Sequence, residues 1–418
     1  MKIAPARFRA IPAGILDAGF ASLATLAIGL YAARRLPVAD LGAYSIFFSA
    51  YVLGSVVPTQ LVLGPAGIAS VSYPQAERLG LLPQTWRLGL GIAVFAGVAA
   101  AAAAWLGSTA ALDVRLALGV TAAVSAILTP LQQFVRQSLH LGGASWRAAA
   151  TSLIQLIVVV VGLLAFSATD VPTAWHPMGS LAIANGVSLA FAFLRWGRDD
   201  PASVILPRFR VSSLVLSGRW LLLLEVVATG ALFLSVVMLG RLAGAEALGH
   251  AEAARIVAQP LIVMAVGLAT VLGPRSMEAG SIRDRQLARR ISGPFLASLF
   301  VIALAYAAIT ALPWRGNPMA FLLPLAYVEP GLVLVSVIAT LLVGVVYPYR
   351  SELLGARRER SLVSVAVVAA TLQMMITAAA GWNGAGAFAR PLGVGMNGAA
   401  LWLGCGLFRS RLYREEQP

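Results

Sequence analysis

Residues 17–44 read DAGFASLATLAIGLYAARRLPVADLGAY. Between Ala18 and Ala33 there is no charged side chain. Traced back to Ile11, the apolar run reaches the ~20 residues that a helix needs to cross a bilayer core. Arg34 and Arg35 stop the run, and Pro37 and Asp40 mark a turn. A second apolar run starts at Leu41. This is the pattern of two membrane helices joined by a short loop, and the rest of the chain repeats it.

The composition permits little else. Of the 418 residues, 59% are hydrophobic and 11% are charged, and the mean hydropathy is +0.84. A soluble domain carries about 25% charged residues. A surface this apolar is matched to lipid. Twelve runs are long enough to span, near residues 11–33, 41–66, 88–106, 116–133, 148–167, 178–196, 219–239, 247–273, 292–312, 319–346, 361–381 and 392–408. The short loops between them leave no room for an extramembrane domain. The first run follows Lys2, Arg7 and Arg9 like a signal peptide, but it is too long for one. The expected fold class is an all-α polytopic membrane protein.

The net charge of +14 does not indicate nucleic acid, because the basic residues sit in clusters between apolar runs. Basic residues favour the cytoplasmic side of bilayers. With the N-terminus inside, 24 of the 31 Lys and Arg residues fall on cytoplasmic segments, six fall outside, and Arg255 lies within a span. Both termini are therefore expected in the cytoplasm. The arginine-, alanine- and glycine-rich composition suits a GC-rich bacterium, and the expected location is its inner membrane. The single Cys405 excludes an internal disulfide, and His140, His176 and His250 are scattered, so no metal or other cofactor is expected.

The chain carries an internal repeat. Ala33-Arg34-Arg35-Leu36, Ala39-Asp40-Leu41-Gly42 and Val62-Leu63-Gly64-Pro65 recur in order as Gly240-Arg241-Leu242, Ala245-Glu246-Ala247-Leu248-Gly249 and Val271-Leu272-Gly273-Pro274. An acid precedes each set, Asp17 in the first run and Glu225 in the seventh. Six spans separate the copies, so both share one orientation. A parallel repeat of this kind is a transporter architecture. The expected division is an N-terminal six-helix lobe over 1–196, a cytoplasmic linker over 197–218 and a C-terminal six-helix lobe over 219–418.

The stretch from Asp17 to Tyr44, with its ARRLPVADLGAYS, resembles the opening of the polysaccharide transporters and lipid-linked oligosaccharide flippases of the multidrug/oligosaccharidyl-lipid/polysaccharide (MOP) exporter superfamily. The second copy departs at Gly249-His250-Ala251, which lacks the tyrosine, and the first copy lacks an equivalent of Arg275. The resemblance implies a two-lobed, MATE-like 6+6 fold. It implies translocation of a polyprenyl-diphosphate-linked glycan to the periplasmic leaflet, as in exopolysaccharide, capsule or lipopolysaccharide O-antigen synthesis. The implied partners are that substrate, membrane lipids and other polysaccharide-assembly membrane proteins. A cation-coupled multidrug exporter of the same fold is the alternative. A membrane-embedded glycan-processing enzyme or an accessory subunit of an envelope complex is an alternative of another class. The sequence has no phosphate-binding Gly-Lys-Ser/Thr loop and no His-Glu-x-x-His, and no enzymatic activity is expected.

Within the eighth run, Glu252, Arg255 and Gln259 share one helix face at i, i+3 and i+7. A charge at membrane depth faces a cavity or a partner. Arg255 is the substrate-binding candidate for the diphosphate, with Glu252 holding it; the alternative is an Arg–Glu pair that only locks helices. Asp17, Glu225 and Glu329 are candidates for ion coupling, against capping, pairing or a position in water. Arg34, Arg35 and Arg241 are candidates for receiving phosphate outside, against snorkelling to headgroups. Gln132, Gln133 and Arg136 are candidate first contacts for a glycan.

Overall fold

The computed structural model describes residues 5–70, 78, 82–169, 173–196, 211–311 and 329–414, with 314, 317, 318, 323, 324 and 327. These residues form helices and no strands. By length and apolar composition, 12 spans can cross a membrane, in the order read from the sequence. Large apolar side chains point outward, as a lipid-facing surface requires: Phe95, Leu106, Leu194 and Leu304 are each at least 75% exposed. Alanine dominates the buried positions, which lets helix backbones approach closely.

Packing divides the chain into two units, Met1–Leu36 with Ile46–Val226, and Pro37–Ser45 with Val227–Pro418. The first holds α1 (Pro5–Arg35), most of α2 (Val38–Pro58), α3 (Gly64–Ser70), α4 (Leu82–Gly107), α5 (Leu112–Leu141), α6 (Ser145–Ser167), α7 (His176–Trp196) and the start of α8 (Val211–Leu242). The second holds the rest of α8, then α9 (Gly244–Ser281), α10 (Arg285–Ala311), α11 (Pro330–Gly344), α12 (Tyr347–Gly355), α13 (Glu359–Trp382) and α14 (Ala389–Arg414).

Three boundaries differ from the sequence expectation. Residues 211–218 are helix rather than linker, because Leu214 is buried in a cluster with Val62, Leu63 and Phe134; positions 197–210 lie outside the described residues. The helix that carries the eighth span does not close at Gly273-Pro274 but continues to Ser281. The tenth span begins at Pro330, so Glu329 is the residue before the helix rather than within it. Proline suits the first helical turn and holds the preceding residue extended; Glu329 accordingly has φ −107° and ψ 102°.

Between α2 and α3 the chain makes a π-helical turn over Thr59–Leu63, and the Gly64 N–H bonds to Thr59 O. Pro65 is the physical cause. Its ring crowds the carbonyl four residues back, and a wider turn relieves that contact.

Each unit is tied internally by buried amides. In the first, Gln132 donates to Gln155 (3.1 Å), Gln155 to Asn185 (2.6 Å) and Asn185 to Thr129 (2.8 Å). In the second, Asn397 donates to Gln373 (2.7 Å) and Gln373 to Ser235 (2.9 Å). Gln155 with Asn185, and Gln373 with Asn397, fall on the fifth and sixth span of each six-span set, so the repeat reaches these buried amides. Leaving one such amide unsatisfied costs about 1–3 kcal/mol.

The two Leu-Gly blocks of the repeat meet inside the second unit. A Cβ on Gly42 would strike the carbonyl oxygen of Ala245, and a Cβ on Gly249 would strike that of Val38. Each glycine admits the backbone of the other copy. Gly42→Ala and Gly249→Ala are each expected to destabilise the protein by about 1–3 kcal/mol, the usual cost of overpacking. Gly19→Ala, which meets nothing within 4 Å, is the control and should be neutral or slightly stabilising. Thermal unfolding of the detergent-purified variants checks this, and equal midpoints for all three would contradict it.

Candidate functional site

α9 carries Glu252, Arg255 and Gln259 on the face turned toward α11 and α14. Pro260 follows and supplies no N–H. The nearby Val257 carbonyl accepts a hydrogen bond from the Tyr306 hydroxyl at 2.5 Å, tying α9 to α10 just before this proline. The helix is continuous through this point.

Glu252 has no exposed surface. Arg255 Nη2 donates to its Oε1 at 2.7 Å and Arg255 Nε to the same oxygen at 3.0 Å. Arg390, from the first turn of α14, donates through Nη1 to Oε2 at 2.5 Å. The Ser45 hydroxyl donates to Oε2 at 2.8 Å and accepts from Arg390 at 3.0 Å. One carboxylate thus holds two guanidiniums, and the cluster carries one excess positive charge. The Arg390 side chain is 7% exposed, whereas that of Arg255 is 31% exposed. Arg390 is the anchored member and Arg255 the accessible one.

Beside the cluster lies a cavity of about 210 Å³, bounded by α8, α9, α11 and α14. Its polar lining is Arg255, Gln259, Ser336, Thr340 and Arg390; Leu232, Ile262, Val343 and Val394 supply apolar wall. Gln259 Oε1 and Ser336 Oγ are buried and have no hydrogen-bond partner among the described residues. Both residues line the cavity, so its wall keeps hydrogen-bonding capacity.

The sequence candidates separate into three groups. Glu252, Arg255 and Gln259 come together at this cavity. Arg255 both lines the cavity and pairs with Glu252. Asp17 belongs to a different cluster, in the first unit. It accepts from Arg136 Nε (2.8 Å) and Nη2 (2.7 Å) and from Ser152 Oγ (2.5 Å), with His140 Nε2 at 3.0 Å. This carboxylate is fully engaged in joining α1, α5 and α6. Gln132 and Arg136 are part of the first unit's internal bonding, and only Gln133 of that trio is exposed. The third group is dispersed. Arg34, Arg35 and Arg241 are exposed at the ends of α1 and α8, Arg35 reaching Ser167 O at 3.4 Å. Glu225 is half-buried on α8, and Glu329 is exposed ahead of α11.

Sequence reasoning missed Arg390, Ser45, Ser336 and Thr340. Arg390 was readable only as one of the few outer arginines, opening the last apolar run just before Pro391. Its partner Glu252 lies 138 residues away. Ser336 and Thr340 are spaced i, i+4, and hydroxyls in an apolar helix are too common to single out.

No protein-family profile matches the chain, and no curated protein matches it. Solved structures do. The inward-facing form of a multidrug resistance MATE family transporter of the MOP superfamily aligns with TM-score 0.71 and 14% identity, over 97% of this chain and 100% of that one. The outward-facing form of a multidrug resistance MATE family transporter of that superfamily aligns with TM-score 0.64 and 14% identity, over 97% and 95%. A MOP superfamily transporter from Pyrococcus furiosus Vc1, described as having a binding pocket of reverse polarity, aligns with TM-score 0.66 and 14% identity, over 98% and 95%. The fold is therefore MATE-like.

The geometry orders the energetic roles within the cluster. Glu252→Gln removes the charge shared by two guanidiniums and should be the most destabilising change. Arg390→Ala should follow, near the ~3–5 kcal/mol of a broken buried pair. Arg255→Ala leaves Glu252 paired with Arg390 and should cost least. Unfolding midpoints of the purified variants check the order; a stable Glu252→Gln protein beside an unstable Arg255→Ala protein would contradict it.

Proposed function

We propose that this protein is a membrane transporter that flips an anionic, lipid-linked glycan, of the polyprenyl-diphosphate class, across a bacterial inner membrane. The observation that carries the reading is the excess positive charge of Glu252, Arg255 and Arg390 beside a cavity within the span region. At low dielectric, such a charge favours an anion strongly and repels a cation. Arg255, held by Glu252 through Nε and Nη2, lines the cavity with a guanidinium, a group that pairs well with phosphate oxygens. Gln259 and Ser336 add hydrogen-bonding capacity at the same wall. A diphosphate headgroup is the part of a lipid-linked glycan least able to leave water, and a polar lining answers that need while the tail stays in lipid.

The MATE-like fold supports transport as the general activity. The Pyrococcus furiosus transporter supports the finer reading, since a reversed pocket polarity is taken to indicate a different function for it. The second reading is cation-coupled multidrug export, favoured by the multidrug MATE transporters of the same fold. Asp17 would then be the coupling carboxylate, but its engagement by Arg136, His140 and Ser152 fits a structural node better.

The test is translocation of a polyprenyl-diphosphate disaccharide in proteoliposomes. Arg255→Ala should insert normally and lose about ten- to a hundredfold in rate, the worth of a charge-assisted hydrogen bond. Arg255→Lys keeps the charge without the fork and should retain part of the activity. Arg255→Glu should be worse than alanine. Full translocation by a well-folded Arg255→Ala protein would rule the reading out.

A further inference from the structure

A second basic recess lies in the second unit, away from the transport cavity. It has a volume of about 510 Å³ and opens between the start of α10, α12 and the C-terminal half of α14. Its polar end is made by Arg285, Arg289, Arg409 and Ser410, and its apolar end by Trp402, Leu403 and Leu407. We propose that this recess binds the headgroup of an anionic phospholipid and seats the start of an acyl chain.

The charge at the polar end is open. Arg285 and Arg289 lie one turn apart on α10, both exposed, and neither has an ion-pair partner among the described residues. The nearby carboxylates are otherwise engaged. Asp284 accepts the backbone N–H groups of Gln286 (2.8 Å) and Leu287 (2.9 Å) at the head of α10. Glu352 is fully buried and holds Arg409 Nε at 2.6 Å. Arg409 is further fixed by Ser292 Oγ at 3.3 Å and by the rings of Tyr349 and Tyr413, at 4.8 and 5.8 Å. Its Nη1 has no hydrogen bond among the described residues, and Arg409 lines the recess together with the two exposed arginines.

The order of side chains along α14 selects a lipid over a free anion. Leu403 and Leu407 are 60% and 65% exposed, and Arg409 and Ser410 follow directly. Apolar contact and phosphate contact are thus separated by about 9 Å along one helix, with Trp402 flanking the apolar end. A free phosphate uses only the charged end; a phospholipid uses both, and arginines near a membrane surface favour anionic lipid. Arg290, adjacent in sequence to Arg289, does not line the recess.

The test uses the full-length protein, delipidated in detergent and titrated with phosphatidylglycerol or neutral phosphatidylcholine, with bound lipid counted by native mass spectrometry. One phosphatidylglycerol should be retained in preference to phosphatidylcholine. Arg285→Ala with Arg289→Ala should weaken it by about tenfold or more, and Arg285→Lys with Arg289→Lys should recover most of the loss. Leu407→Asp, which bars an acyl chain, should also weaken it. Arg87→Ala with Arg290→Ala removes the same charge from exposed positions elsewhere and should leave binding unchanged. Undiminished binding by the Arg285/Arg289 alanine pair, an equal loss in the control pair, or displacement of the lipid by millimolar inorganic phosphate alone would overturn the proposal.

Discussion

The constraint on which the second unit depends is the burial of Glu252. A carboxylate without exposed surface at membrane depth must be held by positive charge, because an isolated one would be far too costly there. Two guanidiniums meet it, one from its own helix and one from the first turn of α14, and the Ser45 hydroxyl completes its bonding. These partners draw together three parts of the chain that are remote in sequence. They also fix the sign of the cavity, since two cations on one anion leave a charge to spare. Stability and the charge at the cavity wall therefore rest on the same few hydrogen bonds, but not on the same residue. Arg390 is buried and holds the cluster, and Arg255 reaches the cavity.

The repeat explains why such a cluster can be built at all. Gly42 and Gly249 let the two Leu-Gly blocks approach with no side chain between them. That contact keeps Pro37–Ser45 in the second unit, and it carries Ser45 to Glu252. The blocks were legible in the sequence as a recurrence. Their meaning, a mutual backbone contact, was not, because a repeat shows that two segments are alike and not that they touch. The amide pairs Gln155–Asn185 and Gln373–Asn397 escaped notice for a related reason. Single amides in long apolar runs have no local pattern, and only the packed helices reveal that they bond to each other.

The spans were readable because a bilayer imposes a length and a hydropathy that no other environment demands. The stripe Glu252, Arg255, Gln259 was readable because helical spacing puts those residues on one face. Helix ends were less legible where proline was involved. Pro274 was read as a stop and is passed, whereas Pro330 opens its helix, and the difference lies in the turn of the helix each one occupies. Asp17 was legible as an acid of the repeat, but its saturation by Arg136, His140 and Ser152 was not, because those partners lie 119 to 135 residues away.

The central claim is that the cavity beside Arg255 prefers an anion, and competition binding to the purified protein in lipid nanodiscs tests it most directly. A fluorescent short-chain polyprenyl diphosphate serves as the probe and the organic cation tetraphenylphosphonium as competitor. The account predicts saturable binding of the diphosphate, weakened about tenfold or more by Arg255→Ala and unaffected by the cation. Saturable binding of the cation, unchanged by Arg255→Ala and with no binding of the diphosphate, would contradict it.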